Sequence, residues 1–343
     1  MPCSYSKMFE ITAENGRART GVLRAGNMSV ETPAFLPVAT KAFIKTLTPD
    51  EAKRTGVKAI IVNALHIYRR AYDVVSKIGL HEFMKWDGII FTDSGGFQSI
   101  KKFPADAGQD GVTFMMPDGR REIFTPEKSM EVQEAIGSDF LFALDDCPSY
   151  PYTRERVEES VERTIKWARR CQGERNFAIL QGGVYADLRK KCAKEISQMD
   201  FFGFAIGGLC IGEPKEEMHH MVDVTTPLLP KEKPRHLMGV GSPEDIMACV
   251  EKGIDIFDSA FPTRNARHGT IFTSHGKINL GKGKVRGDAI DEECNCYTCR
   301  NFSLDYLNYL FREKETLGMR LATIHNLAYM NDLMERIREK IRG

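Results

Sequence analysis

Short runs of apolar, β-branched and aromatic residues recur along this chain, and most are followed by a longer segment of helical period. Eight such runs can be marked, at 33–38, 58–63, 88–93, 139–145, 176–181, 203–208, 235–239 and 254–258. Strands that are apolar throughout are buried on both faces, and strands that alternate with helices pair in parallel. Helix starts between them are well marked. Thr48-Pro49-Asp50-Glu51, Thr125-Pro126-Glu127-Lys128 and Ser242-Pro243-Glu244-Asp245 each place a capping hydroxyl before a proline at the first helical position. Residues 153–171 read as a long, charged amphipathic helix. Eight strand–helix units over roughly 230 residues match a (β/α)8 TIM barrel. An open doubly wound sheet is the alternative, but no Gly-x-Gly-x-x-Gly follows a strand here.

The strand ends carry chemistry. In order they read Asn63, Asp93, Asp145, Gln181, Gly207-Gly208, Met238 and Asp258. Barrel active sites lie at this C-terminal face. One Asp at a strand end is an ordinary turn former or helix cap. Three carboxylates, an amide and a glycine pair converging on one mouth describe a site.

Charge points to a partner. The net charge is +1, so the overall field says little. Residues 259–287, however, contain no Asp or Glu, while Arg264, Arg267, Lys277, Lys282, Lys284 and Arg286 all fall inside. A one-sign stretch of this length fits an anionic partner such as nucleic acid, or else a solvated loop face. No apolar run approaches the ~20 residues of a membrane span, and the N-terminus lacks the apolar core of a signal peptide. A cytoplasmic protein is expected.

Six of the nine cysteines are scattered, as reduced thiols are. Cys294, Cys296 and Cys299 are clustered, and with His325 they supply the three thiolates and one imidazole that tetrahedral zinc favours. Four protein ligands leave no open coordination position, so the expected Zn2+ is structural. The expected organisation is a barrel over 1–287, with a zinc-binding knuckle and C-terminal helices over 288–343.

These motifs resemble the tRNA-guanine transglycosylase family over nearly the whole chain and in the family's order, in its single-barrel bacterial type. The resemblance rests on Thr92-Asp93-Ser94-Gly95-Gly96-Phe97-Gln98, Gln181-Gly182-Gly183, Ala205-Ile206-Gly207-Gly208-Leu209, Leu237-Met238-Gly239-Val240-Gly241, Phe257-Asp258, Pro262-Thr263-Arg264-Asn265-Ala266-Arg267 and the Cys/Cys/Cys/His set. It implies exchange of guanine at wobble position 34 of tRNAs with a G-U-N anticodon for a 7-deazaguanine, and a homodimer. Asp258 matches the family's nucleophile, which captures ribose C1′ covalently. Asp93 matches its general acid/base. Asp145, Gln181, Gly207, Gly208 and Leu209 match the residues that read the base. Phe97 and Met238 would sandwich it. Glu213 would buttress the Leu209–Cys210 peptide beside the 7-substituent. Thr263, Arg264, Asn265 and Arg267 would hold the anticodon loop, and Lys282, Lys284 and Arg286 would extend that phosphate track.

Cys147 and Ile211 resemble the bacterial pattern, which favours preQ1 over the bulkier queuine. Asn63-Ala64-Leu65-His66 departs from the family's Asn-Thr-Tyr-His, and the Pro-Gly that normally follows is missing from 67–72. The tract 101–121 carries no strong structural signal. Three other readings fit less of the chain. A glycosidase for free sugars needs neither knuckle nor basic stretch, and a non-catalytic partner subunit would lack the paired aspartates. A zinc-dependent nucleic-acid binder leaves the strand-end carboxylates unexplained.

Overall fold

The computed structural model describes residues 8–95, 106–281 and 285–343. It opens with an antiparallel sheet of β1 (Phe9–Asn15), β2 (Ala18–Ala25) and β3 (Met28–Thr32), ahead of the first run marked in the sequence. Strand β1 reads Phe-Glu-Ile-Thr-Ala-Glu-Asn and alternates between the core and solvent, so it lacks a continuous apolar signature.

The barrel strands follow. They are β4 (Ala34–Pro37), β5 (Ala59–Asn63) and β6 (Ile89–Asp93). An inserted antiparallel sheet of β7 (Asp106–Ala107), β8 (Val112–Met115) and β9 (Arg121–Phe124) comes next, and it occupies the described part of the tract without a signal. The barrel resumes with β10 (Phe140–Phe142), β11 (Gly173–Leu180), β12 (Phe201–Ile206), β13 (Arg235–Leu237) and β14 (Ile256–Ser259). Each barrel strand overlaps one of the eight runs. All pair in parallel, in chain order, and β14 returns to β4. A parallel bridge between Val38 and Ile61, with the Ala39 N–H donating to the Ile61 carbonyl at 2.8 Å, completes the ring. The chain is a (β/α)8 barrel. Beyond it, β15 (Thr270–Thr273) and β16 (Gly276–Asn279) form a hairpin inside the acid-free stretch.

The four helix starts read from the sequence are capped by the residues that marked them. Thr48 accepts from the Glu51 N–H while the Glu51 carboxylate returns to the Thr48 N–H. Thr125 accepts from Lys128, Thr153 from Arg156 and Ser242 from Asp245. Each such cap stabilises its helix by about 1 kcal/mol. The Ala64–Met84 helix breaks at Gly79, whose φ of +78° suits a residue without a Cβ.

Alternation along the strands sorts the core into two layers. Ile61, Phe91, Phe142, Phe177, Ile179 and Ile256 face inward, and the interior cluster also takes Phe9, Leu23 and Val30 from the N-terminal sheet. Ile60, Val62, Ile90, Leu237 and Phe257 face outward into the cluster that meets the helices. Four inward phenyl rings pack together, with Phe91 and Phe140 centroids 5.0 Å apart and Phe142 and Phe177 centroids 5.2 Å apart. Burial of each ring contributes roughly 1.5–3 kcal/mol. The long Thr316–Arg342 helix lies against β1, β2, β4 and the Phe261–Arg267 helix. Among the described residues, no helix is long and apolar enough to cross a membrane.

Gly203 on β12 shows how tightly this interior is filled. A Cβ there would lie 2.4 Å from the Phe177 ring, which is fully buried. Gly203→Ala is expected to destabilise the protein by about 1–3 kcal/mol, read as a lower denaturation midpoint. An unchanged midpoint would mean that the ring cluster yields.

Candidate active site and metal centre

The inward phase of the strands continues past the phenyl layer and there becomes polar. Asn63, in phase with Ala59 and Ile61, ends β5, and Asp93, in phase with Ile89 and Phe91, ends β6. Asn63 Nδ2 donates to Asp93 Oδ1 at 2.6 Å, and the Gly95 N–H donates to the same oxygen at 3.1 Å. Gly95 has φ +78°, and a Cβ there would lie 2.3 Å from the Leu65 Cβ, so only glycine lets the backbone come this close. Both donors use one carboxylate oxygen. Among the described residues, Asp93 Oδ2 has no partner. Burial pushes the Asp93 carboxyl up to about 7; the donors from Asn63 and Gly95 oppose this, and the neighbouring Asp258 and Asp145 add to it.

Asp258 repeats the pattern. Its Oδ1 is held by His236 Nε2 at 2.8 Å and by the Gly239 N–H at 3.3 Å, while Oδ2 is unpartnered among the described residues. His236 is fully buried and meets the Phe142, Phe91 and Phe177 rings edge-on, at centroid distances of 5.0, 6.3 and 6.5 Å. Its Nδ1 has no hydrogen-bond partner among the described residues, so the tautomer carrying N–H on Nε2 leaves no buried donor unsatisfied. The sequence reading passed over His236 in favour of Met238 at the same strand end. The signal was available, because His236 is the inward residue of β13 and Leu237 faces outward.

The wall between these carboxylates comes from β10, β11 and β12. Asp145 is buried, and Gln181 Nε2 donates to its Oδ2 at 2.6 Å. Burial pushes the Asp145 carboxyl up to about 7, against the Gln181 hydrogen bond. The adjacent Asp146 is also buried but points the other way, where Arg156 and Arg163 pair with it. Gln181 Oε1 is buried and unpartnered among the described residues. Gly207 and Gly208 lie against this amide: a Cβ on Gly207 would come 2.9 Å from Gln181 Nε2, and one on Gly208 2.2 Å from Gln181 Oε1. Cys147 and Leu209 are buried nearby in the chain, and Met238 and Ile211 are half-buried. The Glu213 carboxylate accepts three consecutive amides: Cys210, then Ile211 at 3.0 Å and Gly212 at 3.1 Å. Phe97 lies outside the described residues, as do Lys282 and Lys284.

The acid-free stretch runs from the end of β14 into the Phe261–Arg267 helix. Thr263 is buried, and its hydroxyl and carbonyl are used within the Phe261–Arg267 helix by Ala260 and Arg267. Asn265 donates back to the Phe261 carbonyl at 2.9 Å. Arg264 and Arg286 are exposed. Lys277 pairs with Glu244 at 3.3 Å and lies over the Phe261 and Phe272 rings, so part of the acid-free stretch finds its acid elsewhere in the fold.

Cys294, Cys296, Cys299 and His325 bring their ligand atoms within 4.8 Å of one another. His325 Nδ1 lies 3.7, 3.7 and 3.2 Å from the three sulfurs. A tetrahedral zinc with ordinary bond lengths has sulfur–nitrogen edges of roughly 3.6 Å, so the donor set fits a metal ion. His325 Nε2 donates to the Phe272 carbonyl at 2.6 Å, which aims the Nδ1 lone pair at the sulfurs.

Desolvation of Asp93 has a measurable consequence. Its folded value of about 7 lies above the unfolded carboxyl value near ~4, so the native protein keeps a proton that the unfolded chain releases. This contribution is full at acidic pH and is lost as pH rises from about 4 through about 7. Asp93→Asn should therefore gain stability relative to the parent across that interval, checked by denaturation midpoints at several pH values. A pH-independent gap would rule out desolvation as the cause.

The family model described as queuine tRNA-ribosyltransferase matches residues 14–343. A queuine tRNA-ribosyltransferase of Thermoanaerobacter pseudethanolicus is 48% identical over 342 residues, covering 95% of this chain and 90% of that protein. The enzymes of that name from Desulforamulus reducens and Bacillus subtilis are each 46% identical, covering 97% and 95% of this chain and 94% and 89% of theirs. With the family model spanning almost the whole chain and relatives this similar end to end, the chain belongs to the queuine tRNA-ribosyltransferase family.

Proposed function

We propose that this protein is a tRNA-guanine transglycosylase that exchanges guanine at wobble position 34 of G-U-N tRNAs for a 7-deazaguanine through a covalent bond between Asp258 and the ribose. One observation carries the reading. Asp93 and Asp258 face the same mouth, and each has one oxygen held by two donors and the other unpartnered among the described residues. In the first step Asp258 Oδ2 attacks C1′ as the N-glycosidic bond breaks. The bonding pair leaves with guanine, which takes a proton from Asp93. In the second step the incoming base gives its N9 proton to the Asp93 carboxylate, and N9 attacks C1′ and releases Asp258. Two inversions retain the configuration. A carboxyl held near neutrality suits this two-way proton transfer.

Asp145 would accept from the N1–H and amine of guanine. The remaining Gln181 N–H and the Gly208 N–H would donate to O6. Because the Cys210 N–H is engaged by Glu213, the Leu209 carbonyl of that trans peptide faces the other way, where an aminomethyl group could donate to it. Both preQ1 and queuine can donate to that acceptor; Cys147 and the bulk of Ile211, which leaves less room for queuine's larger substituent, favour preQ1. Arg264 and Arg286 supply exposed cationic contacts for tRNA. The Cys3His set would hold a structural Zn2+, stapling the 288–343 subdomain to the barrel of a cytoplasmic homodimer. When bound, the ion contributes to folding and takes no part in the exchange.

Labelled guanine should be incorporated into a G-U-N tRNA transcript and chased out by preQ1 but not by queuine. A queuine chase would overturn the base assignment, and no incorporation would overturn the activity. Asp258→Asn should abolish a denaturant-resistant protein–tRNA adduct while leaving tRNA affinity largely intact; a retained adduct would remove Asp258 from the nucleophile's role. Cys296→Ala should lower the folding yield and lose stoichiometric zinc on metal analysis. A zinc-replete, equally stable variant would contradict a structural site.

A further inference from the structure

Arg189 is the fully buried cation of the described residues that the exchange reaction leaves without a role. It lies on the apolar face of the Ala186–Ile196 helix, in line with Cys192, Ala193 and Ile196. Among the described residues, no carboxylate pairs with it. Its guanidinium donates instead to four backbone carbonyls: Gly183 from Nε at 2.9 Å, Leu180 and Gly207 from Nη1 at 3.2 and 2.8 Å, and Gly208 from Nη2 at 3.3 Å. Burial lowers its pKa only to about 10, so it stays cationic at neutral pH.

The consequence follows from peptide planarity. The Gly207–Gly208 and Gly208–Leu209 peptides are trans, so each N–H points away from its own carbonyl. With both carbonyls turned outward to the helix, the Gly208 and Leu209 N–H groups turn inward. No partner for either is present among the described residues. Glu213 acts on the next peptide with the opposite sign: it takes the Cys210 N–H and so turns the Leu209 carbonyl inward. A buried cation on carbonyls and a carboxylate on amides thus write a donor–donor–acceptor sequence along one edge of the pocket. The backbone must pass through φ +65° at Gly208 and +59° at Cys210 to do this.

We propose that Arg189 is a positioning residue that fixes the two inward N–H groups and thereby selects a base bearing an oxygen acceptor at C6. This rests on the base-exchange reading above. A flexible lysine cannot hold four carbonyls with a planar fork, so in Arg189→Lys one of the peptides can turn over and present its carbonyl.

The test compares guanine with 6-thioguanine as inhibitors of labelled-guanine incorporation. The thio base keeps the N1–H and the amine but carries a larger, weaker acceptor at C6. The parent should prefer guanine by roughly tenfold, about the worth of one such hydrogen bond, and Arg189→Lys should move that ratio toward one with tRNA affinity unchanged. A general packing defect would weaken both bases alike and leave the ratio in place, which would overturn the assignment. If the variant fails to fold, equal inhibition of the parent by the two bases would still overturn the assignment, because no donor, Gln181 included, would then read C6. Absence of guanine incorporation by the parent would instead sink the base-exchange reading.

Discussion

A parallel barrel strand turns alternate side chains into the ring, and the site depends on where that interior stops being apolar. Below the rim, phenylalanines from β6, β10 and β11 fill the space, sealed underneath by the N-terminal sheet. One step further along the same inward phase stand Asn63, Asp93, Gln181, His236 and Asp258. Charged groups directly above a dry hydrocarbon layer pay for desolvation, and Asp93 accordingly sits far above an ordinary carboxyl. The barrel thus places these polar groups at the level where its apolar interior ends.

Holding those groups is a matter of hydrogen bonds that engage one oxygen and leave the other. Asn63 and Gly95 hold one side of Asp93, while His236 and Gly239 hold one side of Asp258. The same economy governs the backbone at the end of β12, where Arg189 and Glu213 orient successive peptides from outside. At the Cys3His cluster a metal ion would perform the equivalent task, drawing the C-terminal segment and the long helix together.

The strands and helix caps were legible because their signals are local. Short runs, most of them apolar throughout, marked all eight barrel strands, and hydroxyl–proline pairs marked three of the helix starts. The N-terminal sheet and the insert of β7, β8 and β9 were not legible. Strand β1 is half-exposed and alternating, and β7 spans only Asp106–Ala107. Arg189 was readable only as a cation out of place on an apolar helix stripe, and His236 only by counting phase from Leu237. Asp145 could not be read by phase at all. Leu144 packs outward, and strict alternation from Phe142 would have turned Asp145 out as well, but the chain leaves regular strand geometry after Phe142.

The sequence by itself determined the barrel, the Cys3His set, the paired aspartates and the family, since each is written in residue type and spacing along the chain. Tertiary structure decided which of Asp145 and Asp146 joins the strand-end cluster, which oxygen of Asp93 and of Asp258 is left open among the described residues, and that Lys277 is paired with Glu244. Those outcomes depend on partners brought from distant segments, such as Arg163 for Asp146 and Gln181 for Asp145. Hydrogen-bond direction and burial are properties of neighbours in space, and linear spacing does not specify them.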